Sequence, residues 1–308
     1  MMNDRPFEMT PGGIATLACT LEVSAPKPGN VHRGADFEDV TFTDFAVSAI
    51  VLGQVIDQLA SDSLGETILQ SVKETSNAVG TNTNLGMVLL IAPLAKIAAS
   101  DRQGKLTSES VVSFLNDLGP NDGQKVFEAI RVAKPGGLGD ASELDVQNSD
   151  DEDICLMKAM ELSADRDAIA RQYATGFTDV LELGVGFLVD GIAIWGDLSK
   201  AIVYAHVAWM AHEPDSLIAR KCGMEVAEKS QILAAKALEH VNASDATNKD
   251  SSGGLNDQCR QSFWSALSEL DFWLRSDGHR RNPGTTADLI AASLFVAIIN
   301  GNIKYPFH

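Results

Sequence analysis

Nowhere does this chain sustain, beyond a few residues, the two-residue alternation of apolar and polar side chains that marks a half-buried β-strand. What recurs is the three-or-four-residue step of an amphipathic helix. Phe42, Phe45, Ala49, Leu52, Ile56 and Leu59 trace one such stripe, with Thr41 or Thr43 placed to cap it. A second helix begins near Asn84 and carries Leu85, Val88, Leu89 and Ala92; Pro93 should kink it or sit where a neighbour tolerates the lost hydrogen bond. Further helical runs cover 165–182, 199–211, 215–240, 258–273 and 286–300. The pattern predicts an all-α fold, a single globular domain over residues 1–308 with about ten or more helices. Two polar stretches, 140–153 and 242–254, read as surface loops.

Composition narrows the partners. The longest apolar run, Leu289 to Ile299, falls well short of the ~20 residues of a membrane span and suits a buried helix. The N-terminal residues lack the apolar segment of a secretory signal, so the expectation is a cytoplasmic protein with no membrane partner. Cys19, Cys155, Cys222 and Cys259 are scattered with no CxxC pair, which predicts reduced thiols, no zinc site and no disulfide framework. A net charge of −18 argues against nucleic acid as partner. It also means that a polyphosphate would have to be held by local cations, backbone amides or metal ions against a repulsive overall field.

Four Gly-, Pro-, Asn- and Thr-rich clusters carry charged residues towards helical segments. In APKPGNVHRGADFED two prolines fix the backbone, Gly29 permits close approach, and Lys27, His32 and Arg33 precede Asp36, Glu38 and Asp39. Cations beside carboxylates suit a magnesium polyphosphate, although a solvated surface turn accounts for the same residues. GTNTNLG sets Thr81, Asn82, Thr83 and Asn84 before an apolar helix, more than capping alone requires; helix-terminal amides with such side chains could receive phosphate or ribose. VAKPGGLGDASELDV repeats the KPG element at Lys134 and reads equally as an ordinary turn. HRRNPGTTADLIAAS joins a basic triplet, Asn282, and Thr285 and Thr286 to a helix with Asp288 one turn in, where the carboxylate either offsets the helix dipole or faces a ligand. Between these, Asp215 is placed as an N-cap for a helix carrying Arg220 and Lys221. GVG at 184–186 is no dinucleotide fingerprint, and GxxxxGK[ST], GxSxG and HExxH are absent from the sequence.

PKPGNV, GTNTNLG and NPGTTADL, in this order and spacing, resemble the triphosphoribosyl-dephospho-CoA synthase family over nearly the whole chain. The resemblance implies an all-helical transferase with ATP as ribosyl donor. In that family the 2′-hydroxyl of dephospho-CoA attacks the anomeric carbon, adenine leaves, and the product becomes a prosthetic-group precursor for lyase-type enzymes. It further implies that Lys27 and His32 meet phosphates, that Asn82, Thr83 and Asn84 line the nucleotide site, and that Thr285, Thr286 and Asp288 close it. Gly29, Asn30, Arg33, Lys134, Arg220, Lys221 and Asn282 complete the candidate phosphate- and nucleotide-binding set. Asp36, Asp39 and Asp288 are the candidate catalytic carboxylates, with Mg²⁺ expected on Asp36, Glu38 and Asp39.

The partners implied are a small-molecule nucleotide donor and a hydroxyl acceptor, and a homodimer is compatible with the sequence. Lyase-associated members carry Gly-Ala-His-x-Asp and Pro-Gly-Gly-Ser-Ala-Asp elements, whereas this chain has Gly34-Ala35-Asp36 and Pro283-Gly284-Thr285-Thr286-Ala287-Asp288. Near Asp215 it has Arg220, Lys221 and a single Gly223 in place of an arginine and a double glycine. These departures resemble a branch of archaea and of bacteria with tetrahydromethanopterin chemistry. They leave open an α-ribosyl phosphate transfer to a one-carbon cofactor precursor, and a nucleotide-binding or assembly protein without catalysis.

Overall fold

The structure, a computed structural model, describes residues 9–101, 104–133, 155–241 and 255–304. Lys134 with its KPG turn, and the expected loops at 140–153 and 242–254, lie outside the described residues.

Local capping chemistry starts the helices where the sequence places them. Thr41 accepts from Asp44 N–H while the Asp44 carboxylate accepts from Thr41 N–H at 2.8 Å, and this capping box opens α2 (Phe42–Gln58). Thr10 caps α1 (Pro11–Ser24) and Ser63 caps α3 (Leu64–Val79). Then follow α4 (Leu85–Ser100), α5 (Ser108–Asn116), α6 (Pro120–Ala133), α7 (Leu156–Ser163), α8 (Ala168–Thr175), a π-helix (Asp179–Gly184) and α9 (Val185–Trp195). The chain continues through α10 (Leu198–His212), α11 (Ser216–Cys222), α12 (Met224–Glu239), α13 (Asp257–Arg275) and α14 (Gly284–Ile299). Among the described residues there is no strand, and one isolated bridge joins His32 to Ala35.

Two predicted runs divide in the structure. The 165–182 run breaks at Gly176 (φ 65°) and Phe177 (φ 61°), where a side chain on Gly176 would strike Val112 at 2.5 Å. The 215–240 run breaks at Gly223, whose φ of 92° lies in a region almost reserved for glycine. Pro93 sits buried inside α4, which is continuous from Leu85 to Ser100.

Helices α4 and α14 are apolar on nearly every side and form the centre. α14 packs against α1, α4, α8, the π-helix, α9, α10 and α11. The Leu289–Ile299 run is thus a core helix, and no helix among the described residues is long and apolar enough to cross a membrane. The four cysteines are unbridged. Both central helices begin at the same end of the molecule, beside the N-termini of α8 and α11, and a cavity opens there.

Candidate active site

Within PKPGNV the residues from Lys27 to Val31 are buried rather than solvated. Gly29 adopts φ 72° and donates its N–H to Asp271 Oδ1 at 2.7 Å, while a side chain there would strike Leu274 at 2.7 Å and Pro283 at 3.0 Å. Only a glycine fits between α13 and the last motif. Asn30 donates to the Pro283 carbonyl at 3.3 Å, and Arg275 donates to the Asn30 carbonyl, so the first and last motifs are locked together.

Asp215 fastens two helix starts. Its Oδ1 accepts from Leu217 and Ile218 N–H at 2.9 and 3.0 Å, capping α11, and its Oδ2 accepts from the Thr286 N–H and hydroxyl, both at 2.8 Å. Burial nonetheless pushes its pKa up. Ser216 donates to the Thr285 hydroxyl at 3.1 Å and accepts from Ala168 N–H at 3.4 Å, which brings the start of α8 to the same point. The Tyr173 hydroxyl, donating to the Leu89 carbonyl at 2.7 Å, holds α8 against α4.

GTNTNLG completes the ring. Asn82 Oδ1 accepts from Leu85 N–H at 3.1 Å, and Thr83 meets Ser48 of α2. The glycine that ends this motif is set by Asp288: a side chain on Gly86 would lie 1.9 Å from Asp288 Oδ2. The Asp288 carboxylate accepts from Met87 N–H at the start of α4, yet its pKa is driven well up, first by burial and then by Glu22, Asp215 and Asp167.

The three motifs thereby bound one cavity of about 1050 Å³. Of the residues expected at a site, Asn30, Asp39, Asn82, Thr83, Asn84, Arg220, Lys221, Asn282, Thr285 and Asp288 stand on its wall. Lys27, Gly29, His32, Arg33, Asp36, Glu38 and Thr286 do not. Lys27 is wholly buried in an ion pair with Glu22, Nζ to Oε1 3.0 Å, which removes it from direct reach of a phosphate. His32 folds back, its Nδ1 accepting from Gly34 N–H at 3.1 Å, and Arg33 is exposed. Thr286 spends both donors on Asp215.

The three carboxylates expected to hold a metal differ in their surroundings. Asp36 accepts from Phe42 N–H at 2.7 Å, Glu38 is exposed, and Asp39 pairs with His279 Nδ1 at 3.1 Å. Asp36 and Asp39 thus serve separate contacts of the loop, and among the described residues no three His, Cys, Asp or Glu side chains gather as metal ligands.

The wall adds residues that the motifs did not flag, Glu22, Arg131, Lys158, Arg166 and Asp167, and includes His279 of the basic triplet. Among the described residues it carries five Lys or Arg (131, 158, 166, 220, 221) against four Asp or Glu (22, 39, 167, 288), whereas the whole chain has 24 against 42. The acidic excess is therefore reversed where a ligand would sit. Arg220 donates to Asp167 Oδ2 at 3.2 Å, and burial together with the Arg220 charge pushes the pKa of Lys221 down. Asn282 Oδ1 is buried and unpartnered. Leu89, Phe127, Ile130 and Met160 supply an apolar section of wall. Such an enclosure can hold a phosphorylated ligand with an apolar or aromatic part, and it sets carboxylates of raised pKa beside it.

A family model described as CitG, ATP:dephospho-CoA triphosphoribosyl transferase, matches residues 8–306. A crystal structure of a candidate triphosphoribosyl-dephospho-CoA synthase from Archaeoglobus fulgidus is similar at a TM-score of 0.60 with 28% identity, covering 83% of this chain and 98% of that one. No curated protein matches the chain.

Proposed function

Since the chain belongs to the ATP:dephospho-CoA triphosphoribosyl transferase family, we propose that it moves the 5-triphosphoribosyl group of ATP to the 2′-hydroxyl of 3′-dephospho-CoA with release of adenine. The observation that carries this reading is the convergence of all three motifs on one cavity whose wall reverses the acidic balance of the chain.

Arg220 and Lys221 bring full positive charges to that cavity, beside the starts of α4, α8, α11 and α14, whose first N–H groups are taken by Asn82, Asp288, Asp167 and Asp215. Together they provide a seat for the triphosphate. The section formed by Leu89, Phe127, Ile130 and Met160 suits the adenine. Magnesium would enter as part of the substrate, on the donor phosphates; among the described residues no three metal-ligating side chains gather to hold a resident ion. Asp288, on the cavity wall with its pKa driven up first by burial, is suited to donate to the departing base.

Chromatographic detection of adenine from MgATP, with and without dephospho-CoA, tests the reading. Dephospho-CoA-dependent release that is lost in Asp288→Asn and weakened in Lys221→Ala is the expected result. Release with no acceptor at all would remain unexplained by it, and absence of adenine under every condition refutes it. Phosphoribosyl pyrophosphate with pterin-precursor acceptors would then be the next substrates to try.

A further inference from the structure

Glu22 occupies the last turn of α1, one turn before the PKPGNV motif, on a face otherwise made of Ile14, Ala15, Ala18, Cys19 and Val23. A carboxylate in that position costs several kcal/mol unless it is compensated. It is 2% exposed, yet it reaches the cavity wall. The Lys27 ammonium, 3.0 Å from Oε1, compensates it while donating to the carbonyls of Glu22 and Ala25. Oε1 has no hydrogen bond of good geometry, and apart from Lys27 no described residue donates to this carboxylate. Asp288 stands on the same wall and interacts electrostatically with Glu22.

We infer that Glu22 is the catalytic base of the transfer, working opposite Asp288 on the same cavity wall as the proton donor. The inference rests on the transferase reading above. Two carboxylates in one desolvated site do not both ionise cheaply. Lys27 lies beside Glu22 and keeps the negative charge there, which leaves the proton on Asp288.

The reaction needs this stoichiometry. The bond from the ribose anomeric carbon to the adenine nitrogen breaks with its electron pair going to the nitrogen, which takes the proton of Asp288. The acceptor hydroxyl oxygen bonds to that carbon and gives its proton to Glu22. One proton leaves Asp288 and one enters Glu22, so the site finishes with the charge it began with, and exchange with solvent through the cavity resets both groups. The charged and titratable groups facing the pair are Lys27, Cys19, Asp167 and Asp215, with His206 and Arg275 beyond Lys27.

The test is kcat for adenine release against pH, in wild type, Glu22→Gln and Asp288→Asn, with MgATP binding measured by calorimetry. A wild-type rate that falls at low pH as Glu22 protonates is expected, with the acid limb lost in Glu22→Gln. That variant should lose about 10²–10⁴-fold in kcat while binding MgATP nearly as well. Should unpartnered Lys27 prevent folding, Glu22→Gln/Lys27→Met removes both charges and is expected to fold and show the same loss. A folded Glu22 variant within about threefold of wild-type kcat, or a wild-type rate with no acid limb, overturns the inference and leaves the transferase reading intact. A wild type that releases no adenine with any acceptor overturns both.

Discussion

Gly86 makes room for Asp288: with a side chain there, the Asp288 carboxylate would be displaced. Gly86→Ala is expected to cost about 1–3 kcal/mol in urea denaturation, as overpacking does, and to lower kcat with it. Gly186, with nothing within 4 Å of a built side chain, is the control, and Gly186→Ala should stabilise by about 0.5–1 kcal/mol. His206 sets a pH slope of its own. Burial first, and then the Lys27 charge, hold its pKa well below 6.5. The unfolded chain therefore binds a proton that the folded chain refuses, and stability is lost as pH falls below about 6.5. His206→Gln should flatten the urea midpoint between about pH 7 and pH 5. Asp288 acts in the opposite sense: its raised pKa makes its contribution complete below the unfolded value and lost as pH rises through the folded one. At this scale Asp288 and Asp215 were legible in the sequence, because each sits at a recognisable helix start. Glu22 was not picked out, although a lone carboxylate in step with Ile14 and Ala18 on an apolar stripe is the signal that could have found it.

At the scale of elements, periodicity read α2, α10, α13 and α14 to within a residue or two because each has a strong stripe or a hydrophobic run with a clear stop. It ran α8 into the π-helix and α11 into α12, since glycine in a helical pattern does not announce a positive φ. The second junction bears on the site. Gly223 (φ 92°, ψ 157°) ends α11 directly after Arg220 and Lys221, so the turn it permits fixes where these cations point. Gly223→Ala meets open space but the wrong backbone region, and should cost about 1–3 kcal/mol. Its accompanying rise in KM for MgATP, measured by steady-state kinetics, should exceed any change produced by Gly186→Ala.

For the whole molecule, what the sequence concealed was convergence: Asn30 and Pro283 are bonded although 253 positions apart, and nothing local encodes that pairing. Burial of the PKPGNV turn from Lys27 to Val31, which excludes Lys27 from the wall, is likewise a property of the assembled core. The charge distribution yields a test at this scale. A net charge of −18 repels a polyphosphate at long range, whereas the cations of the wall act only close to the cavity. Raising salt from about 0.01 to 0.15 M shortens the Debye length from about 30 to 8 Å. The association rate of MgATP, followed by stopped flow, should therefore rise with salt; a fall would mean that the cavity field governs approach. The four helix starts around the cavity carry a deeper consequence. Their first N–H groups are held by Asn82, Asp167, Asp215 and Asp288, so a few side chains, each gripping one or two helix starts, set where the wall of the cavity stands. The outer surface can accept acidic substitutions freely, whereas an exchange at one of these capping side chains would loosen helix starts that lie far apart in the sequence.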